Sequence, residues 1–318
     1  VVTPAWNEAD SLPELYNRIK AVMESEGRDF ELLVVENGST DGSLSLLKDL
    51  HRKDPRVHYL SLSRNFGHQG ALTAGLEHAR GEALIFMDAD LQHPPEVIPR
   101  LLEEWDRGAD VVFTLKRETA QQGVFRKVAD SFFYTLLRIL SGLNLSSGQS
   151  DFRLVDRRAA EALMKMTERN KFLRGMTRWI GFRQVTIAYD VAPRFAGESK
   201  FRFFHLFRFA LDGIFSFSIL PLRLFTYFGL VVSTLSFLYV FYVGLVWLGW
   251  APSVWAGQMS PGWTSLAAGV FLLGGVQMLG IGVLGEYLSR VYDETRSRPV
   301  YLIRETSLRE PEGQAGSD

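Results

Sequence analysis

The feature that most constrains the fold is a short apolar run ending in two carboxylates. Ala83 to Met87 is too brief for a helix and reads as a buried strand. It runs directly into Asp88 and Asp90, with only Ala89 between them, and then into Pro94-Pro95, which open the next helix. In an open α/β sheet, ligands bind in the crevice beyond the carboxyl ends of the strands. Two carboxylates at that place, one small residue apart, suit a hard divalent cation. Mg²⁺ takes one or two protein carboxylates and completes its shell with water and substrate phosphates.

The flanking chain repeats the same strand-then-helix pattern. Val1-Val2-Thr3-Pro4 reads as the last part of a strand, so the natural strand is expected to begin a few residues earlier. Leu12, Leu15, Ile19 and Val22 then fall at helical spacing. Glu31 to Val35 is a second strand, and its polar exit offers Asp41 or Ser39 as the cap of a helix from Leu44 to Arg52. A strand at 57–60, an Ala/Leu-rich helix after Gly70, a helix at 95–107 and a strand at 110–113 complete the alternation. Such alternation predicts a mostly parallel sheet covered on both faces. An amphipathic helix at 122–140, a strand at 151–155, a helix at 157–166 and a strand at 183–189 are expected beyond it.

Composition excludes several functions. The 318 residues carry a net charge of −1 and no Lys/Arg block, so nothing points to nucleic acid. There is no cysteine, hence no disulfide, thiolate metal site or cysteine nucleophile. Charge is also unevenly spread, for between Arg223 and Glu286 there is none. Leu224 to Trp250 and Thr264 to Gly285 are each long enough to cross a bilayer, which takes about 20 residues. Trp247, Trp250, Trp255 and Trp263 gather around a connection without Lys or Arg. Lys200, Arg202, Arg208 and Arg223 precede the pair, and Arg290, Arg296, Arg298 and Arg304 follow it. The positive-inside bias places both ends in the cytoplasm. Residues 201–222 mix Phe and Leu with Arg202, His205 and Arg208, as in a helix lying in the membrane interface. The expected organisation is therefore a catalytic domain at 1–200, interfacial helices at 201–222, two membrane helices within 223–288 and a cytoplasmic tail at 289–318. Glycines between Gly269 and Gly285 would let helices pack closely, leaving a homo-oligomer open.

Five stretches occur in order: Pro4-Ala5-Trp6-Asn7-Glu8, Glu36-Asn37-Gly38-Ser39-Thr40-Asp41, Arg64-Asn65-Phe66-Gly67, Asp88-Ala89-Asp90-Leu91-Gln92, and Arg194 to Lys200. Together they closely resemble the inverting family-2 glycosyltransferases of GT-A fold. The resemblance is to the polyprenyl-phosphate branch, which includes dolichyl-phosphate mannose synthases and bacterial undecaprenyl-phosphate glucosyltransferases. It covers nearly the whole chain, including the two-helix C-terminal anchor of the bacterial members, and so implies the bacterial plasma membrane.

The resemblance implies transfer of a sugar from a nucleotide diphosphate donor to a polyprenyl phosphate, with Mg²⁺ or Mn²⁺ as cofactor. Asp88, Asp90 and, by family analogy, Gln92 would hold the metal. Pro4, Ala5, Asn7, Glu8, Glu36, Asn37, Asp88 and Ala89 would hold the nucleotide sugar. The family often has Asp-Asp where this chain has Glu36-Asn37, so which of the two meets the base stays open. The acceptor phosphate suits guanidinium forks, with Arg117, Arg126, Lys127 and Arg194 as candidates, and Lys200 for either the phosphate or lipid headgroups. Asp151 matches the acidic position near the acceptor, as a base or as a residue that orients a sugar hydroxyl. His68, beside a helix start, reads as a packing or capping residue.

UDP-glucose is the preferred donor, while GDP-mannose, UDP-N-acetylhexosamine and UDP-aminoarabinose derivatives remain open. A processive synthase is a poorer match, since Arg178-Trp179 has Gly175 where a Gln is usual. A non-catalytic membrane scaffold does not explain the intact Asp88 and Asp90. A dinucleotide oxidoreductase lacks its Gly-x-Gly-x-x-Gly after the first strand.

Overall fold

The computed structural model describes residues 1–117, 149–168, 171–190, 220–249 and 263–308. These fall into two compact units, one holding the residues up to 190 together with 297–308, the other holding 220–249 and 263–296.

The first unit is built on one mixed sheet. In chain order its strands are β1 (Val2–Ala5), β2 (Leu32–Glu36), β3 (Val57–Leu62), β4 (Ala83–Phe86), β5 (Val111–Lys116), β6 (Gln149–Asp156), β7 (Gln184–Tyr189) and β8 (Ile303–Thr306). Across the sheet the order is β7-β5-β6-β4-β1-β2-β3-β8. β1 pairs in parallel with β2 and β4, β2 with β3, and β5 with β7. The expected parallel α/β sheet is thus present, with two departures. β6 runs antiparallel between β4 and β5, and β8 antiparallel along β3.

β8 lies in the stretch expected to be a tail. It is held by Lys48 on Glu305 at 2.8 Å and by Tyr301 Oη, which donates to Glu77 at 2.6 Å. The exposed edge of β3 is thereby covered by a short charged strand, a common protection against edge-to-edge association.

Helices α1 (Leu12–Glu26), α2 (Ser43–Lys53), α3 (Gly67–His78) and α4 (Ile98–Asp106) connect the parallel strands, with a 3₁₀ turn at Pro95–Val97 leading into α4. Leu12, Leu15, Ile19 and Met23 form the buried stripe of α1, and the expected Val22 packs partly buried against the same core. α3 is Ala/Gly-rich because it packs against the sheet at close range. A side chain at Gly75 would strike Val2 Cγ1 at 2.2 Å. After β6 come α5 (Arg157–Met164), capped by Asp156, and α6 (Leu173–Trp179), a helix the sequence did not announce.

The second unit contains α7 (Leu220–Trp247) and α8 (Trp263–Thr295). α7 covers the expected Leu224 to Trp250 segment only as far as Trp247, while α8 covers all of Thr264 to Gly285 and continues ten residues further, through Glu286 and Arg290. Leu224, Phe228 and Leu235 on α7, and Leu266, Leu279 and Leu288 on α8, are all about half exposed or more. Among the described residues no helix is long and apolar enough to cross a membrane. Of the expected interfacial segment at 201–222, residues 201–219 lie outside the described residues and 220–222 open α7.

Candidate active site

The carboxyl ends of β1, β2 and β4 carry most of the residues singled out in the sequence, in two neighbouring groups. The first group ties the β1 exit to the β2 exit. Pro4 and Ala5 are buried in β1, and Asn7 follows with a φ of 56°, in the left-handed region that Asn tolerates. Asn7 N–H donates to Ser39 Oγ at 3.0 Å, and its Oδ1 accepts from Thr40 N–H at 2.8 Å. Glu8 N–H donates to Ser43 Oγ at 3.1 Å, and the Glu8 carboxylate accepts from Ser11 Oγ at 2.7 Å. The start of α2 differs from expectation. Gly42 occupies the cap position, Asp41 Oδ1 accepts the Ser43 N–H from one residue further back, and Ser39 serves Asn7 instead.

Glu36 and Asn37 are both buried and engaged within the protein. Glu36 accepts from Ser39 N–H on one oxygen and from Ser61 Oγ on the other at 2.6 Å. Asn37 Oδ1 accepts from Phe66 N–H at 2.9 Å, while its Nδ2 donates to Asn65 Oδ1 and to Gly67 O, each at 3.2 Å. Both side chains therefore shape the loops, and a nucleoside would meet only the lone pairs left over. Gly38 makes this possible. It has a φ of +68°, and an added Cβ would lie 2.5 Å from the backbone carbonyl carbon of Arg64. Gly38→Ala is expected to destabilise the fold by at least ~1–3 kcal/mol, the range for a strained backbone position. A urea midpoint equal to wild type would contradict the close approach.

The second group gathers around Asp88, and β-sheet register explains it. β4 and β6 pair antiparallel from Ala83↔Asp156 to Phe86↔Arg153. Continued two residues, that register sets Asp88 opposite Asp151. Between them sits His68, at the start of α3, with Nε2 3.7 Å from Asp88 Oδ1 and 3.6 Å from Asp151 Oδ2. The side chain of His68 is 43% exposed. The burial that opposes its protonation is outweighed by Asp151 and Asp88, which raise its pKa above the ordinary imidazole value.

Asp151 is enclosed by cations. Arg174 on α6 grips it with Nη2 at 2.7 Å from Oδ2 and Nε at 3.3 Å from Oδ1, and Arg153 Nη1 lies 3.4 Å from Oδ1. Burial alone would push the Asp151 carboxyl up, but Arg174, His68 and Arg153 hold it well below the usual carboxylate range. Arg153 is itself 1% exposed, and burial lowers its pKa to about 10, still protonated at neutral pH.

Asp88, Asp90 and Gln92 are each partly exposed at the crevice. Asp90 Oδ1 accepts from Gln92 N–H at 3.1 Å, and Leu91 between them has a φ of 61°. Among the described residues no group of three or more His, Asp or Glu forms a metal cage. Two partly exposed carboxylates do match the donor set that Mg²⁺ or Mn²⁺ uses when phosphates supply further ligands, so the residues present fit such a cation. His93, 2% exposed behind this turn, accepts from Asp88 N–H on Nδ1 at 2.9 Å. Its burial lowers its pKa against the pull of Asp88.

The basic set is less complete. Arg117 follows β5, exposed, with its guanidinium 3.4 Å from Asp190. Arg126, Lys127, Arg194 and Lys200 lie outside the described residues.

The model of glycosyl transferase family 2 matches residues 1–164. The chain belongs to this family. It is a glycosyltransferase with a GT-A-like α/β fold, as the five motifs led one to expect. Over 304 residues the enzyme is 39% identical to the prophage bactoprenol glucosyl transferase homolog of Escherichia coli, covering 96% of this chain and 97% of that one. It is also 39% identical to the bactoprenol glucosyl transferase of Shigella phage SfX, covering 96% and 98%. To the uncharacterized glycosyltransferase sll0501 of Synechocystis it is 38% identical, covering 95% and 93%.

Four further residues gather at this candidate site that the sequence does not single out as functional: His68, which reads there as packing or capping, His93, Arg153 and Arg174. His68 and His93 adjoin motifs that were read. Arg153 lies two residues from Asp151 on the same strand, a signal that could have been used. Arg174 sits on a seven-residue helix with no advance sign of its place.

Proposed function

We propose that this glycosyltransferase moves a hexose, glucose from UDP-glucose in the first instance, onto a polyprenyl phosphate with inversion at the anomeric carbon. The observation that carries the reading is His68 lying between Asp88 and Asp151, with guanidiniums on Asp151, at the crevice, in a chain matched over nearly its full length by bactoprenol glucosyl transferases. Asp88 and Asp90, with Gln92 beside them, would hold Mg²⁺ or Mn²⁺. When bound, the cation supplies a Lewis acid for the charge that grows on the departing nucleoside diphosphate. The loops knitted by Asn7, Glu8, Glu36 and Asn37 form the nucleoside side of the crevice.

The acceptor phosphate is already ionised near pH 7, its second pKa being about 6, so it needs placement more than deprotonation. Asp151 suits that economy. Its low pKa makes it a weak proton acceptor, and two guanidiniums already claim its oxygens. We assign it the task of fixing Arg174 and His68 beside Asp88, so that positive charge faces the incoming phosphate. Arg117, Arg126, Lys127, Arg194 and Lys200 complete the acceptor side in this reading.

The second unit is read as the membrane anchor. What supports it is the absence of charge between Arg223 and Glu286, the exposed apolar side chains of α7 and α8, and the arginines at both outer ends. The first unit would then lie in the cytoplasm of a bacterial cell. Cell fractionation tests this. The enzyme is expected in the membrane pellet, resistant to carbonate extraction; release by carbonate would overturn the anchor.

A further inference from the structure

We propose that His93 is a positioning residue for the transfer reaction, bracing the Asp88–Asp90 turn against the start of β6 so that Asp88 and Asp151 hold a fixed spacing. This rests on the reading of Asp88 and Asp90 as the donor-side carboxylates.

The argument begins with hydrogen-bond direction. A backbone N–H can only donate, so the Asp88 N–H at 2.9 Å leaves Nδ1 of His93 without a proton. A neutral ring then carries its proton on Nε2, which lies 2.6 Å from Ser150 Oγ. His93 therefore accepts from the turn that bears Asp88 and donates to the residue immediately before Asp151. Ser150 Oγ also accepts from Phe152 N–H at 3.3 Å and lies 3.3 Å from Tyr189 Oη, which gives the serine's own proton an acceptor. The ring cannot swing. It stacks on Phe152 at 5.2 Å and 19°, and meets Tyr189 edge-on at 6.2 Å.

β4 ends at Phe86, so its regular ladder to β6 stops short of Asp88. Beyond that point the turn passes through the left-handed Leu91, a conformation that persists only where its surroundings enforce it. His93 supplies that enforcement at the place where the strand pairing ends. A ring locked by two directional bonds defines the spacing of the two carboxylates better than apolar packing alone.

The test uses the full-length enzyme in detergent with UDP-glucose, Mn²⁺ and undecaprenyl phosphate, together with calorimetric binding of UDP in the presence of Mn²⁺. His93→Ala is expected to lower kcat by roughly 10–100-fold, as loss of an outer-shell partner does, with the KM for UDP-glucose little changed, and to weaken Mn²⁺-dependent UDP binding. His93→Asn, whose amide oxygen can take the place of Nδ1, should recover part of both losses. Ser150→Ala keeps the ring stacked and removes only its far anchor, so it tests the brace even where His93→Ala fails to fold; a smaller fall in kcat is expected. Wild-type kcat and binding in His93→Ala or in Ser150→Ala would overturn the proposal. So would equal losses in the Asn and Ala variants, which would reduce His93 to packing. A wild-type enzyme that binds UDP with Mn²⁺ but transfers nothing would count against the acceptor reading, and the binding comparison would still decide the role of His93.

Discussion

Asp90→Ala is expected to reduce sugar transfer by about 10³-fold, the scale on which loss of preorganised charge stabilisation is felt. The fold should survive. Asp90 is partly exposed, and its Oδ1 accepts from Gln92 N–H at 3.1 Å. Losing such a bond costs on the order of 1 kcal/mol. The prediction therefore separates chemistry from stability: a collapse in kcat with a melting temperature lowered by only a few degrees. Titration with Mn²⁺ adds a second discriminator, since an excess should restore little to Asp90→Ala. Activity within a few-fold of wild type would remove the diphosphate from this end of β4 and leave the crevice without its assigned cation.

The second large effect concerns Asp151 and Arg174. Were Asp151 a general base, Asp151→Asn would abolish transfer, whereas Arg174→Ala would act separately and mildly. The geometry predicts otherwise. Arg174 Nη2 lies 2.7 Å from Asp151 Oδ2, and the two side chains are 18% and 14% exposed. Each single substitution leaves a poorly solvated charge with a lost partner, so each is expected to lower kcat by roughly 100-fold. The double variant should be no worse than the poorer single one, with a coupling of about 2.7 kcal/mol, within the range for residues sharing one network. Independent, additive losses would return Asp151 to the role of a base. The pH profile offers a further check. Asp151 is held well below the usual carboxylate range, so it remains ionised through neutral and mildly acidic pH. No acid limb near pH 4–5 should arise from it, and Asp151→Asn should move any limb contributed by His68 to lower pH, because Asp151 helps to raise that imidazole's pKa.

How much of this was legible in the sequence follows from how local each signal is. The strand Ala83–Phe86 and its exit at Asp88 could be read because an apolar run bounded by polar residues is a property of a few adjacent positions. The antiparallel insertion of β6 could not, because Asp151-Phe152-Arg153-Leu154-Val155 reads as a strand in either direction. Only the Phe86↔Arg153 register brings Asp151 to Asp88. β8 escaped notice for a related reason. Ile303-Arg304-Glu305-Thr306 has no apolar face to bury, and its stability comes from ladder bonds to β3 and from the Lys48–Glu305 pair.

His68 shows the same limit at the site. Beside a helix start, a lone imidazole has an ordinary packing role, and nothing in its neighbours reveals that two carboxylates lie 3.7 and 3.6 Å from its Nε2. Glu36 and Asn37 were placed correctly at the β2 exit, but their work is partly internal, holding Ser39, Ser61, Asn65 and Gly67 in the loops around them. Motif spacing located the crevice. The guanidiniums that surround Asp151 come from two elements, β6 and α6, which only folding brings together.

The most direct test of the central claim is a transfer assay with the purified full-length enzyme, undecaprenyl phosphate and Mn²⁺ or Mg²⁺, offered radiolabelled UDP-glucose alongside other UDP- and GDP-sugars. The account predicts an organic-soluble, mild-acid-labile glucosyl lipid from UDP-glucose that disappears on chelation of the metal. Bound nucleotide sugar with no lipid-linked product from any donor would contradict it.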